Sequence, residues 1–208
     1  MKTNEIKEAL GTGVVIEAIQ SMSGADSIEP DHMGRGRQPN QGYIPKAIQV
    51  DAALQRQGEE LLFHQAVLLD NKAWGPWTQL FSEDGIYWMP STPTQTDWRR
   101  EPSIFAEDAL LMEVRMSRLL HPNAWSQAAQ WGTNHIVGNI VIEAESATTI
   151  EVYSRFQLME MRRDDIRHFG GSYRHTLVRQ GKDLKIKLQR VDMTNGQAAY
   201  DYVLQAWV

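Results

Sequence analysis

The 208-residue chain contains no cysteine. Disulfides, thiolate zinc sites, cysteine nucleophiles and any iron–sulfur cluster held by this chain alone are therefore excluded. Nor is there a block of Lys and Arg, and the formal net charge is only −5, so a phosphate-tracking surface is missing and nucleic acid is not an expected partner. No apolar run approaches the length of a membrane span, so no membrane association is expected. The opening MKTNEIKEALGTGVVIEAIQSM carries acids and has no continuous apolar core before a small-residue cleavage site, which does not read as a signal peptide. A cytoplasmic protein is the simplest expectation.

Several catalytic patterns are missing too. The six histidines are His32, His64, His121, His135, His168 and His175, and no two lie three to five residues apart. Metal-binding pairs on one helix and facial-triad spacings are thereby absent. His168 and His175 are seven apart in a strand-like region, an odd spacing that sends them to opposite faces. No GxSxG elbow occurs. Gly11-Thr12-Gly13 and Gly34-Arg35-Gly36 lack the lysine and the strand-to-helix setting of a phosphate loop.

What is present is an ordinary globular composition, 42% hydrophobic and 23% charged, in a chain long enough for one domain with a real core. Residues 1 to about 22 suit a helix after Thr3, weakened by Gly11 and Gly13. Ser23 to Ala47 is rich in Gly, Pro, Asn, Asp and Gln, the composition of an extended arm. Residues 1–49 are thus expected to form a helix and an arm that contacts a neighbouring subunit, and residues 50–208 the domain proper.

Within that domain Leu54, Leu61, Leu62, Ala66 and Leu69 recur at helical spacing. A short second helix is expected to begin at Pro76 and to turn Trp74, Trp77, Leu80 and Phe81 inward. Glu107 to Leu120 predicts a third. The period then changes to two. HIVGNIVIEA places Ile136, Gly138, Ile140 and Ile142 on one face, and TTIEVYSRFQLMEMRR places Ile150, Val152, Ser154, Phe156 and Leu158 on one face. GSYRHTLVRQ and LKIKLQRVDM follow, joined by a turn at Gly181-Lys182-Asp183. Helices first and a long curled antiparallel sheet afterwards make an α+β layout with the helices on one face.

The stretch LFSEDGIYWMP sets two acids beside aromatics. Its structural reading is a helix end at Leu80-Phe81, a turn over Ser82 to Gly85, and a short strand from Ile86 to Met89 stopped by Pro90. Its chemical reading is an acid–base pair in a cone pocket, drawn from Asp84, Tyr87, Asp108, His135 and Tyr153. Interface signals are stronger. Trp98, Arg99 and Arg100 lie in the loop TPTQTDWRREPS, and Arg115 and Arg118 on a helix, in a chain with seven tryptophans. Arg and Trp are enriched where proteins meet.

An ordered set of segments resembles the small, or β, subunit of aromatic-ring-hydroxylating dioxygenases, the Rieske non-haem iron oxygenases. It comprises LLDNKAWGPWTQLFSEDGIYWMP, LLMEVRMSRL, TNHIVGNIVIE, FGGSYRHTLVRQG and LKIKLQRVDM, within about Glu59 to Met193. The resemblance implies a cone-shaped α+β fold of cystatin-like or nuclear-transport-factor-like type. It implies a structural subunit with no catalytic residue, cofactor or metal ligand of its own, joined to α subunits in an α3β3 hexamer with β–β contacts. The Rieske [2Fe-2S] cluster and mononuclear iron would belong to the α subunit, and electrons would come from NADH through a reductase or ferredoxin. The rival expectation is a stand-alone isomerase or dehydratase using Asp84, Tyr87 and His135.

Overall fold

The computed structural model describes residues 44–121, 123, 131–194, 196 and 207–208. The expected helix after Thr3 and the arm as far as residue 43 lie outside the described residues.

Helix α1 spans Ala52–Asp70. Asp51 caps it, its carboxylate accepting from the Ala53 N–H at 3.2 Å. Leu54, Leu62, Ala66 and Leu69 are buried as the spacing predicts, Leu61 is half-buried, and Gly58, Gln65 and Leu68 join the inner face. The helix ends where Lys72 takes a left-handed conformation at φ 55°. Its ammonium bonds the Trp131 carbonyl at 2.7 Å and sits 4.0 Å from that ring's centroid, which holds the reversal in place.

Helix α2 is Trp74–Thr78, starting two residues before the expected Pro76. Pro76 falls in the first turn, where its missing N–H costs nothing. Trp74, Trp77 and Phe81 are buried and Leu80 is half-buried. Strand β1 then runs unbroken from Phe81 to Pro90. The expected turn over Ser82 to Gly85 is instead an irregularity inside this strand: Phe81 pairs with Ile186 and Ile86 with Leu188, so three extra residues bulge from β1. Gly85 is required there, because a Cβ would lie 2.8 Å from the Ile186 carbonyl and from Phe81.

Strand β2, Ser103–Glu107, was not expected, and it moves the start of helix α3 to Ala109–Leu120. Asp108 caps α3 through the Leu111 N–H at 2.9 Å. Strands β3 (Trp131–Glu145), β4 (Thr149–Arg162), β5 (Asp165–Gln180) and β6 (Asp183–Met193) form an antiparallel meander. The six-stranded order is β2-β1-β6-β5-β4-β3, and β1 pairs with β6 in parallel, the one departure from antiparallel pairing among the described residues.

The single-face reading of β3 is also corrected. The register shifts between Gly138 and Val141, and Asn139 is left-handed at φ 53°. An inserted residue exchanges the two faces. His135 and Ile142 therefore both point inward, while Ile136 is 63% exposed. On β4 the expected row Ile150, Val152, Ser154, Phe156 and Leu158 is wholly buried.

The helices cover one face of the curled sheet, the α+β cone expected. Its core holds Trp74, Trp77, Phe81, Tyr87, Phe105 and Trp207, with the Trp77 and Trp207 rings 4.4 Å apart. Phe156 and Tyr173 stack at 4.3 Å farther along.

Candidate functional site

Helix α1 lies against β3 and brings its last residue, Asp70, to the inner face of the sheet. An acid in the last turn opposes the helix dipole, so it needs compensation elsewhere. Three bonds supply it. The carboxylate accepts from Thr133 Oγ1 at 2.9 Å and from the His135 N–H at 2.9 Å, and it meets His135 Nδ1 at 2.6 Å. Burial works to raise the Asp70 pKa, but the side-chain and backbone bonds to His135 outweigh it and hold the carboxyl below its usual value.

Polar groups continue inside the cone. Gln65 of α1 donates to the side-chain carbonyl of Gln189 on β6 at 2.5 Å. His175 of β5 is fully buried beside Tyr173, the ring centroids 5.6 Å apart, and burial pushes its pKa down to about 3. It is neutral at any physiological pH. His168 is exposed, on the opposite face as the odd spacing requires.

An Asp–His pair beside a tyrosine has the elements of a general base, since Nδ1 bonded to a carboxylate leaves Nε2 to accept a proton. The space denies it a substrate. The cleft between Leu62, Gln65, Ala66, Leu69, His135, Val137 and Tyr173 has no room for a water molecule. The pair instead fastens the end of α1 to β3. Neither Asp70 nor Gln65 was singled out from sequence; the acid at the helix C-terminus is the signal that could have found the first.

Asp84, Tyr87 and His135 each have separate partners. Asp84 sits on the exposed β1 bulge, bonded by Ser82 Oγ at 2.9 Å and facing Lys187 at 3.4 Å; the Ser82 bond is the largest influence lowering its pKa. Tyr87 is fully buried, its hydroxyl donating to the Val208 carbonyl at 3.3 Å and accepting from the Val208 N–H at 3.1 Å. Burial raises its pKa well above the usual range. Of the other two acid–base candidates, Asp108 is the α3 cap and Tyr153 is buried. Among the described residues, no group of three His, Asp or Glu is placed to hold a metal ion.

The arginine and tryptophan positions make a clearer arrangement. The Arg115 Nε donates to Glu107 at 2.6 Å, and its guanidinium lies 4.3 Å from the Phe105 ring centroid. Trp207 Nε1 donates to the second Glu107 oxygen at 2.9 Å. Arg115 is thus engaged inside the chain. Trp98, half-buried, carries the Arg99 guanidinium over its ring at 4.5 Å, and Arg100 pairs with Asp97 at 3.2 Å. The loop beneath them is anchored by Arg190, which donates to the carbonyls of Gln95 at 2.5 Å and Pro93 at 3.2 Å. Arg118 lies on the exposed face of α3, in an open groove with Leu110, Glu113, Val114, Ser117 and His121.

Comparison with known proteins bears on this arrangement. A family model described as "Ring hydroxylating beta subunit" matches residues 64–197. The small oxygenase component of the p-cumate 2,3-dioxygenase system of Pseudomonas putida is 34% identical over 134 residues, 64% of this chain and 74% of that protein. Among solved structures, the beta subunit of benzoate 1,2-dioxygenase from Burkholderia mallei superposes with a TM-score of 0.59 at 21% identity, covering 76% of this chain and 99% of that one. A putative scytalone dehydratase from Novosphingobium aromaticivorans shares the fold, with a TM-score of 0.54 at 20% identity over 74% of this chain and 91% of its own. With the family match covering most of the domain from within α1 past the end of β6, the chain belongs to the ring-hydroxylating beta subunit family.

Proposed function

We propose that this chain is a structural subunit of a multicomponent aromatic-ring-hydroxylating dioxygenase and performs no chemistry itself. It assembles with a larger, iron-bearing α subunit that holds a Rieske [2Fe-2S] cluster and mononuclear iron and inserts oxygen into an aromatic ring. Electrons reach that subunit from NADH through a reductase or ferredoxin, and the assembly is a cytoplasmic α3β3 hexamer with β–β contacts. The observation that carries this reading is the family match over residues 64–197. The closed cleft at Asp70 and His135 supports it over a stand-alone isomerase or dehydratase, which needs an open pocket. Trp98, Arg99, Arg100 and Arg118 offer outward-facing groups for subunit contacts, and residues 1–49 are an arm for a neighbouring subunit.

Co-purification tests the proposal. The tagged chain, expressed with its genomic neighbours, is expected to yield an iron-bearing hetero-oligomer that oxidises an aromatic compound, whereas the chain alone contains no iron and is inactive. A chain that remains without partners while turning over a small carbonyl or hydroxy compound would overturn it.

A further inference from the structure

Among the described strands β2 is an edge of the sheet, and each of its ends carries a distinctive surface. At its start is the loop 91–102 with Trp98 and Arg99; at its end is helix α3. Five strand residues separate them by roughly 17 Å. No hydrogen bond, ion pair or ring contact joins the two surfaces among the described residues.

The loop is a stiff prong. Gln95, only 2% exposed, accepts from the Ser91 and Thr92 N–H groups at 2.7 and 3.1 Å and donates to the Pro102 carbonyl at 2.7 Å. Arg190 holds the same loop from beneath through the Pro93 and Gln95 carbonyls. A prong ordered in advance loses little entropy on docking. At its tip Arg99 lies on the Trp98 ring, and neither Arg99 nor Glu101 has an oppositely charged partner among the described residues.

The α3 groove has the complementary character. Met112 is the one buried residue of α3, whereas Leu110 is 66% and Val114 49% exposed. Exposed apolar surface concentrated on one helix marks a contact site. The groove is open to solvent, with a volume of about 440 Å³ that admits an indole ring. Its charged members Glu113 and Arg118 have no ion-pair partner among the described residues. Glu113 and Arg118 are offset by about 7.5 Å along the α3 axis and by about 140° around it, so they flank the groove on either side of Leu110 and Val114. The two steps of chain from Arg99 to Glu101 span at most about 7 Å.

We propose that the Trp98–Arg99 prong of one copy seats in the α3 groove of the next copy. Trp98 covers Leu110 and Val114, Arg99 meets Glu113, and Glu101 meets Arg118. The occupant is a second copy of this chain because both halves of the contact, with reciprocal charges, are present on it. The contact joins unlike surfaces, so it runs head to tail and closes only as a ring. The inference rests on the reading of this chain as an assembly subunit and assigns the surfaces through which its copies join.

Sedimentation and mass measurement, on the chain alone and in its complex with the iron-bearing partner, test this. Arg99→Glu, Glu113→Arg and Trp98→Ala are each expected to weaken association between copies at least about tenfold. The reversed pair, Arg99→Glu with Glu113→Arg, should restore it to within about threefold of wild type. Trp98→Ala lacks a prong and Glu113→Arg lacks a groove, so mixing the two should give two-copy species and nothing larger. Wild-type association in the single variants, no restoration by the reversed pair, or a wild-type chain that is single in both settings would each overturn the contact. Capture of an iron-bearing partner is scored separately: its failure refutes the proposed function while the association between copies still decides this one.

Discussion

Arg190 and Asp192, two residues apart on β6, form a buried ion pair on the sheet face opposite the helices. The Arg190 Nε lies 2.9 and 2.8 Å from the two Asp192 oxygens, and the guanidinium also covers the Trp88 ring at 4.5 Å. Its remaining donors take the carbonyls of the prong loop. One arginine thus joins β6, β1 and the loop 91–102. Such a pair adds little net stability over apolar residues, but removing one partner strands a buried charge.

Arg190→Met is therefore expected to lower unfolding free energy by about 2–3 kcal/mol, because buried Asp192 loses its nearest cation and keeps Arg174 at 3.9 Å. Replacing Asp192 with Leu at the same time should recover part of that loss. Urea unfolding measures both. In Arg190→Met, protease cleavage between residues 91 and 102 should also become faster than in wild type, since the carbonyls of Pro93 and Gln95 lose their donor.

Glu107 links β2 to α3 and to the C-terminal part of the core, accepting from Arg115 and from the Trp207 indole. Glu107→Ala leaves both donors without an acceptor in a largely buried setting. A loss of about 2–4 kcal/mol is expected. Intrinsic tryptophan fluorescence should then report unfolding at lower denaturant than in wild type. An unchanged midpoint would show that the three groups contribute nothing together.

The parts of this fold that follow a single local period are legible in the sequence. The α1 face from Leu54 to Leu69 and the β4 row from Ile150 to Leu158 are of that kind. What was not legible depends on partners remote in sequence. The five-residue β2 is too short for a periodicity to show. The parallel pairing of β1 with β6 joins Tyr87 to Gln189 and leaves no trace in either segment. Asn139 displaces β3 by a residue through a backbone conformation that asparagine tolerates but does not require. Asp70 and His135 are 65 residues apart, and only the fold makes them a pair. The candidate interface residues stand out by type, but that Arg115 turns inward while Arg99 stays outward depends on where Glu107 lies.

His175 gives the protein an acid limit. Its pKa is about 3 in the folded chain against 6.5 for the free side chain, with burial the cause. Between those values the unfolded chain binds the extra proton, so stability falls as pH drops from 6.5 toward 3. His175→Leu removes the titrating group. The variant should lose less of its melting temperature between pH 7 and pH 5 than wild type does. Equal losses in the two proteins would show that His175 does not govern this limb.

The Asp70–His135 pair distinguishes a fastening from a catalytic dyad. Asp70→Asn removes the charge but keeps an oxygen for Thr133, and His135→Gln keeps a hydrogen-bonding group of similar reach. Each should lower stability by about 1–3 kcal/mol, because polar groups between α1 and β3 lose their best partners. Oxygenation per assembled complex should stay within about twofold of wild type below the melting temperature, since a cleft without room for water admits no substrate. A loss of roughly a hundredfold or more, the size expected for removing a general base, with complex mass and iron content intact, would instead place proton transfer at His135 and require the cleft to open during turnover.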